Sequence, residues 1–309
     1  MRLYDSNFKP SFSGHETFPL RHGWLKKAFD FIKNNENTEV KNPFAEDDAI
    51  AFFGVGKNMV ISIRHWAQLA GITKEEKNQD ITTSQVAESL LSQNGKDPYF
   101  ENPNSVWLVH FNIASNPSCT SWYWLFNCFN EIEFNRETIQ SSLKKFIDDL
   151  GWKKPSESTL KRDVDCLLRF YTTSKNKDGS AHEDSMDSLC SELLLIQKSE
   201  SKNQFRLNRG EKHSLGSHLF FYCLARFWSQ YSSSDSISLE LICFEPGSPG
   251  RIFLLDEESI ISKLINASEI TDGAFTWSET AGLKQVIKNV DIDEDFLSNL
   301  FTQIYQDVP

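Results

Sequence analysis

Residues 137–171 read ETIQSSLKKFIDDLGWKKPSESTLKRDVDCLLRFY. From Glu137 to Leu150 the apolar positions Ile139, Leu143, Phe146, Ile147 and Leu150 recur at three- and four-residue intervals, which puts them on one stripe of an α-helix. Gly151 supplies the left-handed residue that ends such a helix, and Pro155 stops its continuation. Ser156 or Ser158 then caps a second helix whose inner face is Leu160, Val164, Leu167 and Leu168. Lys161, Arg162 and the Thr159 hydroxyl fall on its outer side, near the N-terminal end. Two helices joined this way make a helix-turn-helix, and that outer position is where a recognition helix meets DNA. A helical hairpin with a solvated basic face is the alternative reading. Asp163 and Asp165 stand beside the cations and weaken a simple phosphate clamp.

Working outward, helical periodicity recurs at Trp24–Asn34, Asp47–Phe53, Met59–Ala70 and Ser84–Gln93, with a short extended run at Val106–Ile113. After a polar stretch, Ser174–Ser188, residues 188–210 (SLCSELLLIQKSESKNQFRLNRG) give a helix or strand, a basic tip and a second strand. Such a hairpin, carrying Lys198, Lys202, Arg206 and Arg209, has the form of a β-wing; an exposed hairpin with solubilising charge is the alternative. A helix near Ser217–Tyr231 follows, then strands at Leu239–Glu245 and Arg251–Leu255. FTWSETAGLKQV (275–286) reads as a strand and then a helix capped by Ser278, with Glu279 in its first turn. The expected fold is α+β, with a mainly helical N-terminal half containing helix-turn-helix and winged-helix elements, and a mixed α/β C-terminal part. The expected segments are 1–135, a helix-turn-helix at 136–180, and a C-terminal part at 185–309 that suits a winged helix, a dimer face or a partner.

The chain has 309 residues, 39% hydrophobic and 24% charged, with 24 Phe and 8 Trp to fill a core, which excludes a disordered or disulfide-scaffold protein. The formal charge of −11 opposes nucleic acid only if it is evenly spread. Basic islands occur in the first 34 residues, at Lys153, Lys154, Lys161, Arg162 and Arg169, and at Lys198, Lys202, Arg206, Arg209 and Lys212, whereas the stretch after Asp256 is acidic. Six dispersed cysteines without a CxxC pair point to a reducing cytoplasm, the N-terminus lacks the apolar core of a signal peptide, and the longest apolar run, Leu219–Trp228, is too short to span a bilayer and contains Arg226.

Two segments combine residue types that packing does not require. FSGHETFPLRHGWLKK (12–27) places His15 beside Glu16 after Gly14, with Arg21, Lys26 and Lys27 around the helix that follows. A His next to a carboxylate suits a general base, a metal ligand or a hydrogen-bonded pair at a turn. FGVGKNMVISIRHW (53–66) sets Gly54 and Gly56 about a turn, followed by Lys57, Asn58 and Arg64. It lacks the GxxxxGK[ST] spacing of a nucleotide-hydrolysing loop, which leaves a glycine turn meeting a DNA phosphate, or a plain hairpin or helix entry with Trp66 in the core.

With DPYFENPNSVWLVHF (97–111), WYWLFNCF (122–129), STLKRDVDCLLRFY (158–171), ELLLIQK (192–198) and PGSPGRIFLLDE (246–257), these segments make the chain resemble a bacterial family. The family was first catalogued as a domain of unknown function and is found in DNA phosphorothioation and defence gene clusters, and the resemblance covers nearly the whole chain. It implies an endonuclease that nicks one strand of double-stranded DNA, in an antiviral system akin to restriction-modification. It also implies partners: a cysteine desulfurase, an ATPase and an ATP-pyrophosphatase-like sulfur-transfer protein. A homodimer is a further expectation, and a non-catalytic winged-helix adaptor is the alternative function. Within the matching motifs, local chemistry nominates His15 as acid or base, Glu16 as base or ligand of a divalent Mg or Mn ion, and Arg21 with Lys57 as a clamp on the scissile phosphate. The expected DNA-binding set is Lys26, Lys27, Gly54, Gly56, Lys57, Asn58, Arg64, Lys153, Lys154, Thr159, Lys161, Arg162, Lys202 and Arg206.

Overall fold

The computed structural model describes residues 8–36, 40–76, 80–173, 188–199, 203–280 and 282–306. It forms two compact units, residues 1–124 with 130–207, and residues 125–129 with 208–309.

The first unit opens on α1 (Trp24–Asn35), which buries Trp24, Leu25, Ala28, Phe29, Phe31 and Ile32 along one face. This face meets α2 (Asp47–Phe53) and α3 (Lys57–Leu69). β1 (Thr73–Glu75) pairs antiparallel with β2 (Ile81–Thr83), and Ser84 caps α4 (Gln85–Leu91) through a hydrogen bond from Ala87 N–H at 3.0 Å. The run expected to be extended at 106–113 is instead α5 (Pro103–Ala114). Asn102 caps it, Pro103 occupies its first turn, and both faces are buried. A helix buried all round carries no polar stripe, so its sequence cannot be told from a buried strand by periodicity.

The helix-turn-helix lies in this unit. Helix α6 (Thr120–Asn127) starts there and is followed by β3 (Glu133–Phe134), α7 (Arg136–Asp149), α8 (Glu157–Tyr171), β4 (Ile196–Lys198) and β5 (Phe205–Leu207). Gly151 has φ 65° and ends α7, and Ser156, not Ser158, caps α8 by accepting from Thr159 N–H at 3.1 Å. The three strands order as β3-β5-β4, with Phe134 opposite Phe205 and Gln197 opposite Arg206. Helix, strand, two helices and a hairpin whose last strand is central make a winged helix. The paired strands β4 and β5 are therefore the wing of the α7–α8 pair.

The second unit has a similar plan, with further short helices between its first strand and its hairpin. It contains α9 (Ser217–Tyr231), β6 (Ser236–Ser238), α10 (Leu239–Phe244), α11 (Pro249–Ile252), α12 (Glu257–Leu264), α13 (Ala267–Ile270), β7 (Phe275–Thr280), β8 (Leu283–Lys288) and α14 (Glu294–Gln303). Its sheet runs β6-β8-β7, again with the last strand in the middle. Three expectations are corrected here. Of the expected strand 239–245, residues 239–244 are helical, because Ser238 caps α10 by accepting from Leu241 N–H. Residues 251–255 leave α11 in a turn, with Leu254 at φ 53° and Leu255 N–H donating to Gly250 O at 3.0 Å. Ser278 and Glu279 lie in β7, because Gly282 at φ 82° closes a hairpin whose register sets Trp277 opposite Val286. A left-handed glycine between alternating residues is a hairpin signal, and it outweighs the local Ser-Glu cap pattern.

Candidate nucleic-acid interface

Helix α8 has two faces of opposite character. Leu160, Val164, Leu167 and Leu168 are buried, while Lys161 and Arg162 are exposed one step away, and Arg162 Nε donates to Ser158 O at 3.2 Å. Thr159 is engaged with the Ser156 cap, its hydroxyl 2.8 Å from Ser156 Oγ. Asp165 pairs with Arg136 at 3.1 Å, and the Arg136 guanidinium lies 5.1 Å from the Phe205 ring. Lys153 is exposed at the turn, and Lys154 pairs with Asp148 at 2.8 Å. On the wing, Arg206 is exposed and Lys198 Nζ reaches Thr173 O at 2.8 Å. Lys202 lies outside the described residues.

Asp163 does not stand among the cations. It is 2% exposed and sits on the inner face of α8, where its Oδ1 lies 2.8 Å from His15 Nε2 and its Oδ2 accepts from Ser121 Oγ. His15 is 3% exposed, and its Nδ1 accepts the Thr17 backbone N–H at 3.0 Å. Those partners assign the ring proton to Nε2, donated to Asp163. In a nucleophilic triad the imidazole stands between hydroxyl and carboxylate. Here the carboxylate stands between hydroxyl and imidazole, so the arrangement locks a loop and does not activate Ser121.

The loop that His15 anchors is strained. Glu16 and Thr17 have φ 45° and 69°, left-handed values that cost a non-glycine residue roughly 1–2 kcal/mol each. Helices α3 and α8 hold them there: Phe18 O accepts from Trp66 Nε1 at 2.9 Å and from Ser62 Oγ at 3.2 Å, and Thr17 O accepts from Arg169. Gly14, at φ 112°, lets the backbone pass His65, whose Nδ1 would lie 2.8 Å from a Cβ. His65 is pushed down to about 3, by burial first and by the neighbouring His15 second. Trp66 and Trp122 flank the His15 ring at 6.0 and 5.7 Å.

The GHE motif and the helix-turn-helix are thus one construction, joined through Asp163 and Arg169. Glu16 is half-buried at the rim of the loop, and Arg21 lies over the Phe18 and Trp24 rings at 6.0 and 5.5 Å. Lys26 pairs with Asp30, and Lys27 is exposed. Gly54 ends α2 in the left-handed conformation, Gly56 precedes α3, and Lys57 and Asn58 are exposed on its first turn. Arg64 reaches Glu75 at 3.4 Å, and Trp66 is in the core. Sequence reading missed Ser121 and Thr17, the contact of Arg169 with Thr17, and the inward role of Asp163. One signal was present: Asp163 lies three after Leu160 and four before Leu167, on their face.

Residues 12–305 match the model of a family described as a protein of unknown function, DUF4007. The chain belongs to the DUF4007 family. Two crystal structures of SspB, one of them magnesium ion-bound, are similar to this DUF4007 chain with TM-scores of 0.85 and 0.84. Each is 26% identical to it, over 96% of this chain and 88% of the other. No curated protein sequence matches.

The magnesium belongs to the SspB structure. Among the described residues of this DUF4007 chain no group of three or more His, Cys, Asp or Glu side chains is placed to hold a metal ion, so the nomination of Glu16 as a ligand rests on one carboxylate. Among the same residues no helix is long and apolar enough to cross a membrane.

Proposed function

We propose that this chain is the SspB-type, DNA-nicking component of a phosphorothioation system, acting on double-stranded DNA bound by its first winged helix. The observation that supports this best is the likeness to SspB over 96% of the chain. The geometry adds a mode of binding. Lys161 and Arg162 on α8 enter the groove, and Arg206 with Lys198 on the wing follows the backbone. The strained loop 14–18, fastened to the inner face of α8, carries Glu16 to the bound strand, and Arg21 follows just after it. In this reading His15 is a positioning residue, because both its ring nitrogens are engaged. Glu16 and Arg21 are then the groups left to handle the phosphodiester, with Lys57 a further phosphate contact. A cysteine desulfurase, an ATPase and an ATP-pyrophosphatase-like protein are the partners this role requires, in the cytoplasm, with the chain itself as a homodimer.

The adaptor reading is favoured by that same engagement of His15. A supercoiled plasmid incubated with the chain and Mg²⁺ or Mn²⁺, with an EDTA control, separates the two. Metal-dependent conversion to open circles that is lost in Glu16→Gln and Arg21→Gln supports nicking. Plasmid binding without conversion under either metal leaves the adaptor.

A further inference from the structure

The second unit gathers three cations that the first winged helix does not use. The loop 208–212 is fastened beside α11, where Gly210 N–H donates to Leu254 O at 2.9 Å and a Cβ on Gly210 would lie 3.6 Å from Asp256 Oδ2. Lys212 is 6% exposed, and its Nζ donates to Asn208 O and Gly210 O, each at 2.8 Å. Arg251, half-buried in α11, donates through Nε to Asn127 O at 3.0 Å. Arg209, also half-buried, lies on the same loop as Lys212.

These charges act on one another. Burial lowers Arg251, and the nearby Arg209 adds to the effect. Burial pushes Lys212 down to about 8, with Asp256 opposing and Arg209 reinforcing the fall. Arg209 itself is lowered by burial alone, with no carboxylate offsetting it. Asp256, the acid whose charge opposes the fall of Lys212, also caps α12, accepting from Ser259 N–H at 2.9 Å, and Glu211 on the same loop lies 3.4 Å from His213. Crowding cations into a half-buried position is unfavourable unless an anion completes the arrangement. Backbone carbonyls hold Lys212 and Arg251 in place, while among the described residues Arg209 has no acceptor for its planar fork of donors, the group best matched to phosphate oxygens.

We propose that Arg209, Lys212 and Arg251 form a phosphate-binding site on the second unit, with Arg209 in direct contact and a DNA backbone phosphodiester as the ligand. The choice of DNA rests on the function proposed above. A free phosphate would use the same chemistry, and the test keeps the two sources apart. The full chain and its Arg209→Gln variant are titrated with a fluorescein-labelled duplex at several salt concentrations. In parallel, both are melted with and without millimolar inorganic phosphate at constant ionic strength. Arg209→Lys, which keeps the charge and loses the fork, is the second variant.

For a DNA phosphodiester, Arg209→Gln weakens the duplex about tenfold and lowers the slope of log affinity against log salt by about one, while Arg209→Lys keeps the slope. If duplex affinity is unchanged but phosphate raises the melting temperature of the wild type and not of Arg209→Gln, the site stands with a free phosphate as its ligand. If the wild type binds no duplex yet shows that same phosphate response, the proposed function falls and the site stands. Unchanged duplex affinity together with no phosphate response overturns the site and leaves the proposed function in place.

Discussion

Asp163 is a buried carboxylate whose two oxygens serve His15 and Ser121. Asp163→Asn keeps the shape but turns one oxygen into a donor, which then faces either the His15 Nε2–H or the Ser121 hydroxyl. A hydrogen bond to a buried charged group is worth about 1.5–3 kcal/mol, and Asp163→Asn sets an amide donor against one of the two donors that the carboxylate accepts. Urea denaturation should show a loss of about 2 kcal/mol at unchanged slope, and an effect under about 0.5 kcal/mol would mean that these hydrogen bonds are not holding the loop. His65 gives a second test at this scale. Its folded value of about 3 lies below its ordinary value of 6.5, so the unfolded chain takes up a proton that the folded one refuses. The stability contributed by its uncharged state is therefore complete above about pH 6.5 and falls as the pH drops toward 3, at about 1.4 kcal/mol per unit. His65→Gln, compared with wild type between pH 7 and pH 4, should flatten the acid limb by that slope. Parallel limbs would show that His65 titrates normally.

At the scale of elements, α8 divides its work by face. Lys161 and Arg162 are exposed and make no ion pair among the described residues, so replacing both with Ala should leave the melting temperature unchanged. If they meet DNA phosphates, the salt slope of duplex affinity should fall by about two. An unchanged slope would place the DNA elsewhere. Much of this construction was legible: amphipathic stripes located α1, α2, α3, α7, α8 and α9, and Gly151 and the Ser156 cap ended and began helices where the sequence placed them. The failures have physical causes. In α5 every face is buried, so no polar side marks the helix. The short α10 and α11 are ordered by their Ser238 and Ser248 caps more than by apolar spacing. At the site, the link from His15 to Asp163 spans 148 residues, and no local pattern reports a contact of that range. Only the helical position of Asp163 hinted that it pointed inward.

The molecule as a whole carries a formal charge of −11, yet the proposed contacts are cations. Which of these governs DNA binding depends on how far the field reaches. At 0.1 M salt, charges more than about 10 Å apart are screened, so a duplex at the proposed contacts would meet Lys161, Arg162 and Arg206 with little influence from the acids beyond. At 0.01 M the screening length is about 30 Å, comparable with the protein itself, and the net negative charge then repels the duplex. Log affinity against log salt should therefore curve, steep around 0.1–0.2 M and shallower toward 0.01 M. Asp291, Glu294 and Asp295 are exposed acids of the C-terminal stretch, and neutralising them in an Asp291→Asn, Glu294→Gln, Asp295→Asn variant cuts the net charge to about −8. The variant should bind more tightly at 0.01 M and match wild type at 0.2 M, whereas the Lys161→Ala, Arg162→Ala pair should weaken binding across the range. A straight line for wild type from 0.01 to 0.2 M would show that the acidic surface plays no part, and that the local cations alone set the encounter.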